Sequence, residues 1–248
     1  MSRFEDRFSH ISSDYARYRP QYPDELFKYL ASVVQEHELA WDCGTGNGQA
    51  AIGLVPYFRR VVATDASEEQ IGRAVQHARI TYIVVPAEKA GIESGSVDLI
   101  IATQALHWFD LDVFYPEAGR ILKPGGVIAA TAYNVPVVSP AIDLILRRFH
   151  DEVVGPMWLP QNQFIDKGLS TIPFPFDEIF PPPIKIRVNW DLRHLIGYLG
   201  TWSGVQRYRK ENQSDPIDLI ITDLQAAWGP PETPTAVTFP LGLRIGRK

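Results

Sequence analysis

Asp42-Cys43-Gly44-Thr45-Gly46-Asn47-Gly48 is the stretch on which the reading of this chain turns. The apolar run Leu39 to Cys43 leads into it as a short strand, and a helical segment, Gln49 to Val55, follows. Three glycines therefore fall where a strand hands over to a helix, a setting that lets backbone approach an adenosine ligand closely. The spacing is G-x-G-x-G, whereas the loop that seats a dinucleotide pyrophosphate is G-x-G-x-x-G; Gln49 stands where that pattern needs room for its third glycine. No Gly-Lys-Ser/Thr follows, so the Walker pattern fails too. Asp42 would repel a pyrophosphate but attract a ligand ammonium, directly or through water.

Working outward, the chain alternates strands and helices. Asp24 is expected to cap a helix through about Gln35, on which Leu26, Phe27, Leu30, Val33 and Val34 form one apolar stripe. Strands are expected at Arg60 to Thr64, Thr81 to Val85, Ser96 to Thr103 and Val127 to Ala132. Between them lie a helix capped by Ser67 and running to about Arg79, and another over Phe114 to Leu122 closed by the Lys123-Pro124-Gly125-Gly126 turn. Near-continuous apolar strands separated by helices predict a mostly parallel α/β sheet covered on both faces. Its ligand crevice should lie at the carboxyl ends of the strands, in the loops starting at Gly44, Asp65, Pro86 and Gln104.

Two further carboxylates fall at those ends. Asp65 lies 23 residues after Asp42 and offers acceptors to both hydroxyls of a ribose. Glu88, after the third strand, could accept from an adenine amino group. Singly, each has a structural reading: Asp42 caps a turn, Asp65 caps a helix and Glu88 is solvated. Together, around a triple-glycine turn, they describe a nucleoside pocket whose cofactor carries a positive charge, as S-adenosylmethionine does.

Composition narrows the function. The 248 residues include 24 Lys and Arg against 29 Asp and Glu, a formal charge of -5, with an isoelectric point near 5.7. There is no basic run, which argues against nucleic acid as partner. The single Cys43 excludes an intramolecular disulfide and any multi-cysteine metal cluster. The opening residues do not resemble a secretory signal, and no apolar stretch approaches the roughly 20 residues of a membrane-spanning helix. The expectation is a cytoplasmic protein with no membrane partner; its oligomeric state is not legible.

These motifs resemble the Rossmann-like class I S-adenosylmethionine-dependent methyltransferases, and within them a branch that includes trans-aconitate-like and other small-molecule enzymes. The resemblance rests on Phe8 to Tyr15 with Arg19-Pro20-Gln21-Tyr22-Pro23, the Asp42 to Gly48 loop, Asp65-Ala66-Ser67, Ala87-Glu88, Ser96 to Ile100, Ala105 to Phe109 and Arg120 to Gly126. Trp202-Ser203-Gly204-Val205 resembles a shorter, later element. It implies a single domain with a seven-stranded sheet, mostly parallel, ending in an antiparallel strand, with Ile184 to Trp190 and Ala236 to Arg244 as the last two strands. It divides the chain into an arm and helix (1–37), a cofactor-binding core (38–134), a cap or insertion (135–183) and a C-terminal part (184–248). It also implies that Gly44, Thr45, Gly46 and Gly48 bend around the methionyl group, Asp42 anchors that loop, Asp65 and Ala66 hold the ribose and Ala87 and Glu88 flank adenine. Gln104 and Ala105 would pass near the methionyl end, while Tyr15, Arg19 and Tyr22 approach cofactor and substrate.

The chemistry needs little from the protein beyond orientation and exclusion of water, and no metal. A carboxylate acceptor is already nucleophilic; a phenol, amine or carbon acceptor needs a base, for which His107 is the nearest candidate and His10 a weaker one. His107 and Trp108 should form part of the acceptor wall, or simply pack beneath the cap. Arg19 suits a carboxylate but has acidic neighbours in Asp14, Asp24 and Glu25. Arg207 and Arg209, flanking Tyr208, are a second candidate site or solvated surface. Trp158, Phe164, Phe174 and Phe176 offer aromatic surface to a small, partly apolar molecule or are cap core. The leading expectation is methyl transfer to a small carboxylic acid; the alternatives are a scaffold that binds the cofactor without turnover and, more remotely, a nicotinamide oxidoreductase.

Overall fold

The computed structural model describes residues 17–248. Its chain runs α1 (Asp24–Val33), β1 (Leu39–Cys43), α2 (Gln49–Leu54), β2 (Arg60–Asp65), α3 (Glu68–Gly72), β3 (Ile80–Val84), β4 (Val97–Thr103), α4 (Leu111–Ile121) and β5 (Leu122–Tyr133). The second half adds α5 (Pro140–Arg148), α6 (Asn162–Asp166), β6 (Asp177–Ile179), β7 (Lys185–Trp190), α7 (Leu192–Gly200), α8 (Ser203–Asn212), α9 (Ile221–Trp228) and β8 (Thr235–Arg247). The sheet order is β3-β2-β1-β4-β5-β8-β6, with β7 also paired to β8. Strands β1 to β5 are parallel and β8 runs antiparallel to β5.

Alternation along the central strands explains the layers. In β4, Leu99 and Ile101 face a core with Leu26 and Leu30 of α1 and Leu54 of α2, while Ile100 and Ala102 face the opposite core with Phe114 and Ile121 of α4. A strand buried on both faces must read as a continuous apolar run, as β4 does. A third cluster, including Leu146, Phe149, Trp190, Tyr198, Trp202 and Phe239, packs the later helices against β7 and β8. Asp98 is the polar exception in β4. Its Oδ2 accepts from the backbone N–H groups of Glu38 and Leu39, each at 2.9 Å, and its Oδ1 lies 2.7 Å from Lys123 Nζ.

Several expectations need correction. The sheet has eight strands, because Asp177–Ile179 adds a short edge pairing with the end of β8. Pro23 holds the cap position of α1 and Asp24 is its first helical residue, accepting instead from the Tyr57 hydroxyl at 2.7 Å. Ser67 does cap α3, yet that helix ends at Gly72, well short of Arg79. Its continuation has no stripe to bury: Val75 is 61% exposed. The turn at Lys123 to Gly126 is a bulge inside β5, where the register with β4 slips between Val97 and Leu99 and Gly125 adopts a φ of +76°. Pro240 lies inside β8. It pairs with Lys185, and the ladder to β5 starts only at Leu241, so its missing N–H falls where β8 changes neighbours. Among the described residues no helix is long and apolar enough to cross a membrane.

Candidate functional site

The loops after β1, β2, β3, β4 and β5 converge on a cavity of about 300 Å³ at the carboxyl ends of the strands. The glycine loop forms one wall. Gly44, Gly46 and Gly48 all have positive φ, at +69°, +56° and +85°, a region other residues occupy only with strain. A Cβ on Gly44 would lie 2.6 Å from the Ala105 Cβ, and one on Gly48 would collide with the Tyr82 hydroxyl. The loop is thus closed against β4 on one side and β3 on the other.

Its polar ties are specific. The N–H groups of Gly44 and Thr45 both donate to the Thr64 carbonyl at 2.9 Å. Asp65 Oδ2 accepts from the Gly46 N–H at 2.8 Å and Oδ1 from the Ser67 N–H at 2.9 Å, so one carboxylate fixes both the glycine loop and the turn into α3. Asp42 is fully buried and does not line the cavity; it accepts from the Thr45 hydroxyl, tying the loop from beneath. Its Oδ1 has no hydrogen-bond partner among the described residues. Gly48 also stands behind the cavity wall, against Tyr82.

The remaining walls come from elsewhere in the chain. Ala66, Ala87 and Glu88 line the cavity, and Glu88 Oε1 accepts from the Asp110 N–H at 2.9 Å at the start of α4. Gln104 adopts a φ of +53° and donates from Nε2 to the Tyr133 carbonyl at 2.8 Å, leaving its buried Oε1 unpartnered among the described residues. Ala105, His107, Trp108 and Arg19 line it as well. Arg19 Nη2 donates to the Thr201 carbonyl at 3.2 Å, and its guanidinium carbon lies 5.2 Å from the centre of the Tyr198 ring. Tyr15 and His10 lie outside the described residues.

The acceptor-side residues divide differently from the sequence expectation. Trp158 reaches the cavity. Phe174 and Phe176 instead pack on Tyr115, and Phe164 joins the same apolar cluster. Arg209 pairs with Asp215 at 2.6 Å, and neither Arg207 nor Arg209 lines the cavity. His150, Asn162, Asp166 and Tyr198 do line it and escaped the sequence reading. His150 sits inside the segment expected to be a cap or insertion, so the available signal was only its own residue type beside Asp151.

Electrostatics distinguish two buried groups. Burial raises the Asp42 carboxyl from 3.8 to about 7 and lowers the His107 imidazole from 6.5 to about 4. His107 is therefore neutral at neutral pH and a weak base. Its Nδ1 has no partner among the described residues, and its ring packs 4.7 Å from that of Trp108. Between pH 3.8 and about 7 the folded state holds a proton on Asp42 that the unfolded chain has lost, so this contribution to stability is complete at low pH and disappears as pH rises through about 7. His107 acts oppositely: its contribution is complete above 6.5 and disappears as pH falls through about 4. Thermal unfolding from about pH 4 to about pH 8 should show Asp42→Asn without the decline toward neutral pH and His107→Phe without the decline toward acid. Curves parallel to wild type would refute these assignments.

The donor set fits a charged nucleoside cofactor better than a dinucleotide. The cradle excludes any Cβ at Gly44, an unpartnered amide oxygen at Gln104 awaits a donor, and Arg19 is the only Lys or Arg among the described lining residues. Among the described residues no group of three or more His, Cys, Asp or Glu is arranged to hold a metal ion. A family profile described as a methyltransferase domain matches residues 41–130. A Dictyostelium discoideum protein named as a methyltransferase is 32% identical over 254 residues, covering 100% of this chain and 97% of that protein. A solved structure of a type II methyltransferase from Anaeromyxobacter dehalogenans shares 44% identity and a TM-score of 0.87, covering 93% of this chain and 98% of its own. An S-adenosylmethionine-dependent methyltransferase of Saccharomyces cerevisiae is 28% identical over 137 residues, covering 50% of this chain and 46% of the relative.

Proposed function

Because this chain belongs to the S-adenosylmethionine-dependent methyltransferase family, we propose that it methylates a small molecule held between the glycine loop and the aromatic wall supplied by the cap. The observation that carries this reading is the single cavity shared by those two walls. S-adenosylmethionine supplies, when bound, a methyl group on a positively charged sulfur.

In this reading the chain's own groups bind and orient. The Gly44 to Gly46 backbone gives close approach to the methionyl end, and Asp42 holds that loop through Thr45. Gln104 Oε1 accepts a hydrogen bond from the cofactor's ammonium. Asp65 uses its remaining lone pairs for the ribose hydroxyls, Ala66 lies alongside, and Ala87 and Glu88 flank the adenine. Gly48 acts from behind by shaping the turn, and Arg19 suits a carboxylate of either the cofactor or the acceptor. Enclosure excludes water and holds the acceptor in line, where orientation supplies much of the rate. The motif resemblance supports the trans-aconitate-like branch and a small carboxylic acid acceptor, with Arg19 as its cation. One observation favours an acceptor that must first lose a proton: a second histidine, His150, lies in the cavity wall beside two carboxylates.

Asp65→Ala is expected to weaken S-adenosylmethionine binding by about 1 to 3 kcal/mol, since it removes charge-assisted acceptors and the tie to Gly46. Titration calorimetry checks this, and unchanged affinity would reject the role. Methyl transfer itself is tested with labelled S-adenosylmethionine and pooled small acids, phenols and amines. Cofactor binding without product across the panel would favour a binding protein.

A further inference from the structure

His150 stands on a single π turn, Phe149–Val153, that continues α5. Such turns are rare in helices and often occur at functional sites. The residue is 8% exposed and lines the cavity. Its Nδ1 lies 2.7 Å from Asp151 Oδ1, which orients the ring and leaves Nε2 as the proton-accepting atom. Nε2 lies 3.5 Å from Asp166 Oδ1, and that oxygen accepts from Asn134 Nδ2 at 2.7 Å. Two carboxylates therefore face the imidazolium that would form on proton uptake. Among the described residues no carboxylate is hydrogen-bonded or ion-paired to His107.

The surrounding walls indicate the shape of the acceptor. The His150 ring packs 5.0 Å from Trp158 at 33° and 5.6 Å from Trp202 at 85°, and both indoles line the cavity. The tilted Trp158 and edge-on Trp202 indoles give this end of the cavity aromatic walls that favour a flat aromatic ring. A carboxylate placed here would meet Asp166 across the cavity wall. From these observations, and resting on the methyl-transfer reading above, we infer that the acceptor is a small neutral phenol methylated on oxygen, and that His150 is the catalytic residue that takes its proton.

The step balances. The phenol O–H bond breaks and its proton goes to His150 Nε2. The oxygen's electron pair forms the bond to the methyl carbon as the carbon–sulfur bond breaks, leaving its pair on sulfur. An aryl methyl ether and S-adenosylhomocysteine result. An adjoining depression lined by His150, Asp151, Gln163 and Asp166 gives the imidazolium a route to return its proton to water.

The test uses the full chain and three probes: phenol, benzoate and the chromogenic 4-nitrophenol. Wild type should place label in the ethers, and His150→Gln should lower their kcat about 100- to 1000-fold with S-adenosylmethionine affinity unchanged. Without any cofactor, 4-nitrophenol should bind wild type as the phenolate and His150→Gln as the neutral phenol, read from its absorbance. His150→Ala rescued by added imidazole provides a second variant. Ester formation alone, an ether rate within about threefold of wild type in the variants, or the same nitrophenol spectrum in both proteins would overturn the inference. If wild type binds S-adenosylmethionine but forms no ether, the acceptor class fails alone; if it does not bind S-adenosylmethionine, the reading beneath it fails as well.

Discussion

Gly44→Ala is expected to reduce S-adenosylmethionine affinity by about 100-fold or more, equivalent to roughly 3 kcal/mol. Two penalties combine. An alanine at a φ of +69° is strained, by about 1 to 2 kcal/mol, and its Cβ would sit 2.6 Å from the Ala105 Cβ. The Ala105 Cβ is not the flexible tip of a long side chain, so the loop must move and the cavity with it. Gly91→Ala is the control: it shares a φ of +70° but has nothing within 4 Å. It should cost stability alone, about 1 kcal/mol, with cofactor affinity unchanged. Calorimetric titration of the two variants separates strain from loss of the cradle. Equal affinity in wild type and Gly44→Ala would show that the loop does not touch the ligand.

Asp98→Ala should be the most damaging substitution outside the cavity, destabilising the fold by about 3 to 5 kcal/mol. Asp98 is 3% exposed. Its removal strands two backbone N–H groups at the start of β1 and separates Lys123 from its partner, so the approaches to β1, β4 and β5 lose their shared tie. For a domain of this size the midpoint of thermal unfolding should fall by about 10 °C or more. Lys123→Ala should cost less, because Lys123 is 26% exposed and also pairs with the exposed Glu36. A loss under about 1 kcal/mol for Asp98→Ala would mean that this network contributes little.

The two halves of the chain differed in how much they revealed. The boundaries of β1 read directly, because Leu39 to Cys43 is apolar on both faces apart from Asp42 and is stopped by Gly44. β4 read almost as well for the same reason. The length of α3 did not, since Ser67 signals a start while nothing after Gly72 signals a stop as clearly; the missing apolar stripe was the only warning. β6 was invisible. Asp177-Glu178-Ile179 has little strand propensity and exists through its ladder to Ile245–Arg247 and the Glu178 to Arg244 ion pair.

The cavity shows the same division. Gly44, Asp65, Glu88 and Gln104 fall at predictable strand ends, so topology alone brings them together. His150, Asn162 and Asp166 come from a segment with no such rule; His150 is held at the cavity by packing on Trp158 and Trp202, and Asp166 by its contacts with Asn134 and His150. Asp42 was legible as a residue of the glycine loop but not in its depth: burial places it behind the cavity, where it holds Thr45.

The claim beneath this account is that the glycine-loop cavity holds a sulfonium cofactor and not a dinucleotide. Titration calorimetry of wild-type protein with S-adenosylmethionine, S-adenosylhomocysteine and a nicotinamide dinucleotide tests it directly. Saturable binding of the first two, weakened about 100-fold or more in Gly44→Ala, and no heat from the third are the expected results. Saturable binding of the dinucleotide, with none of S-adenosylmethionine, would contradict it.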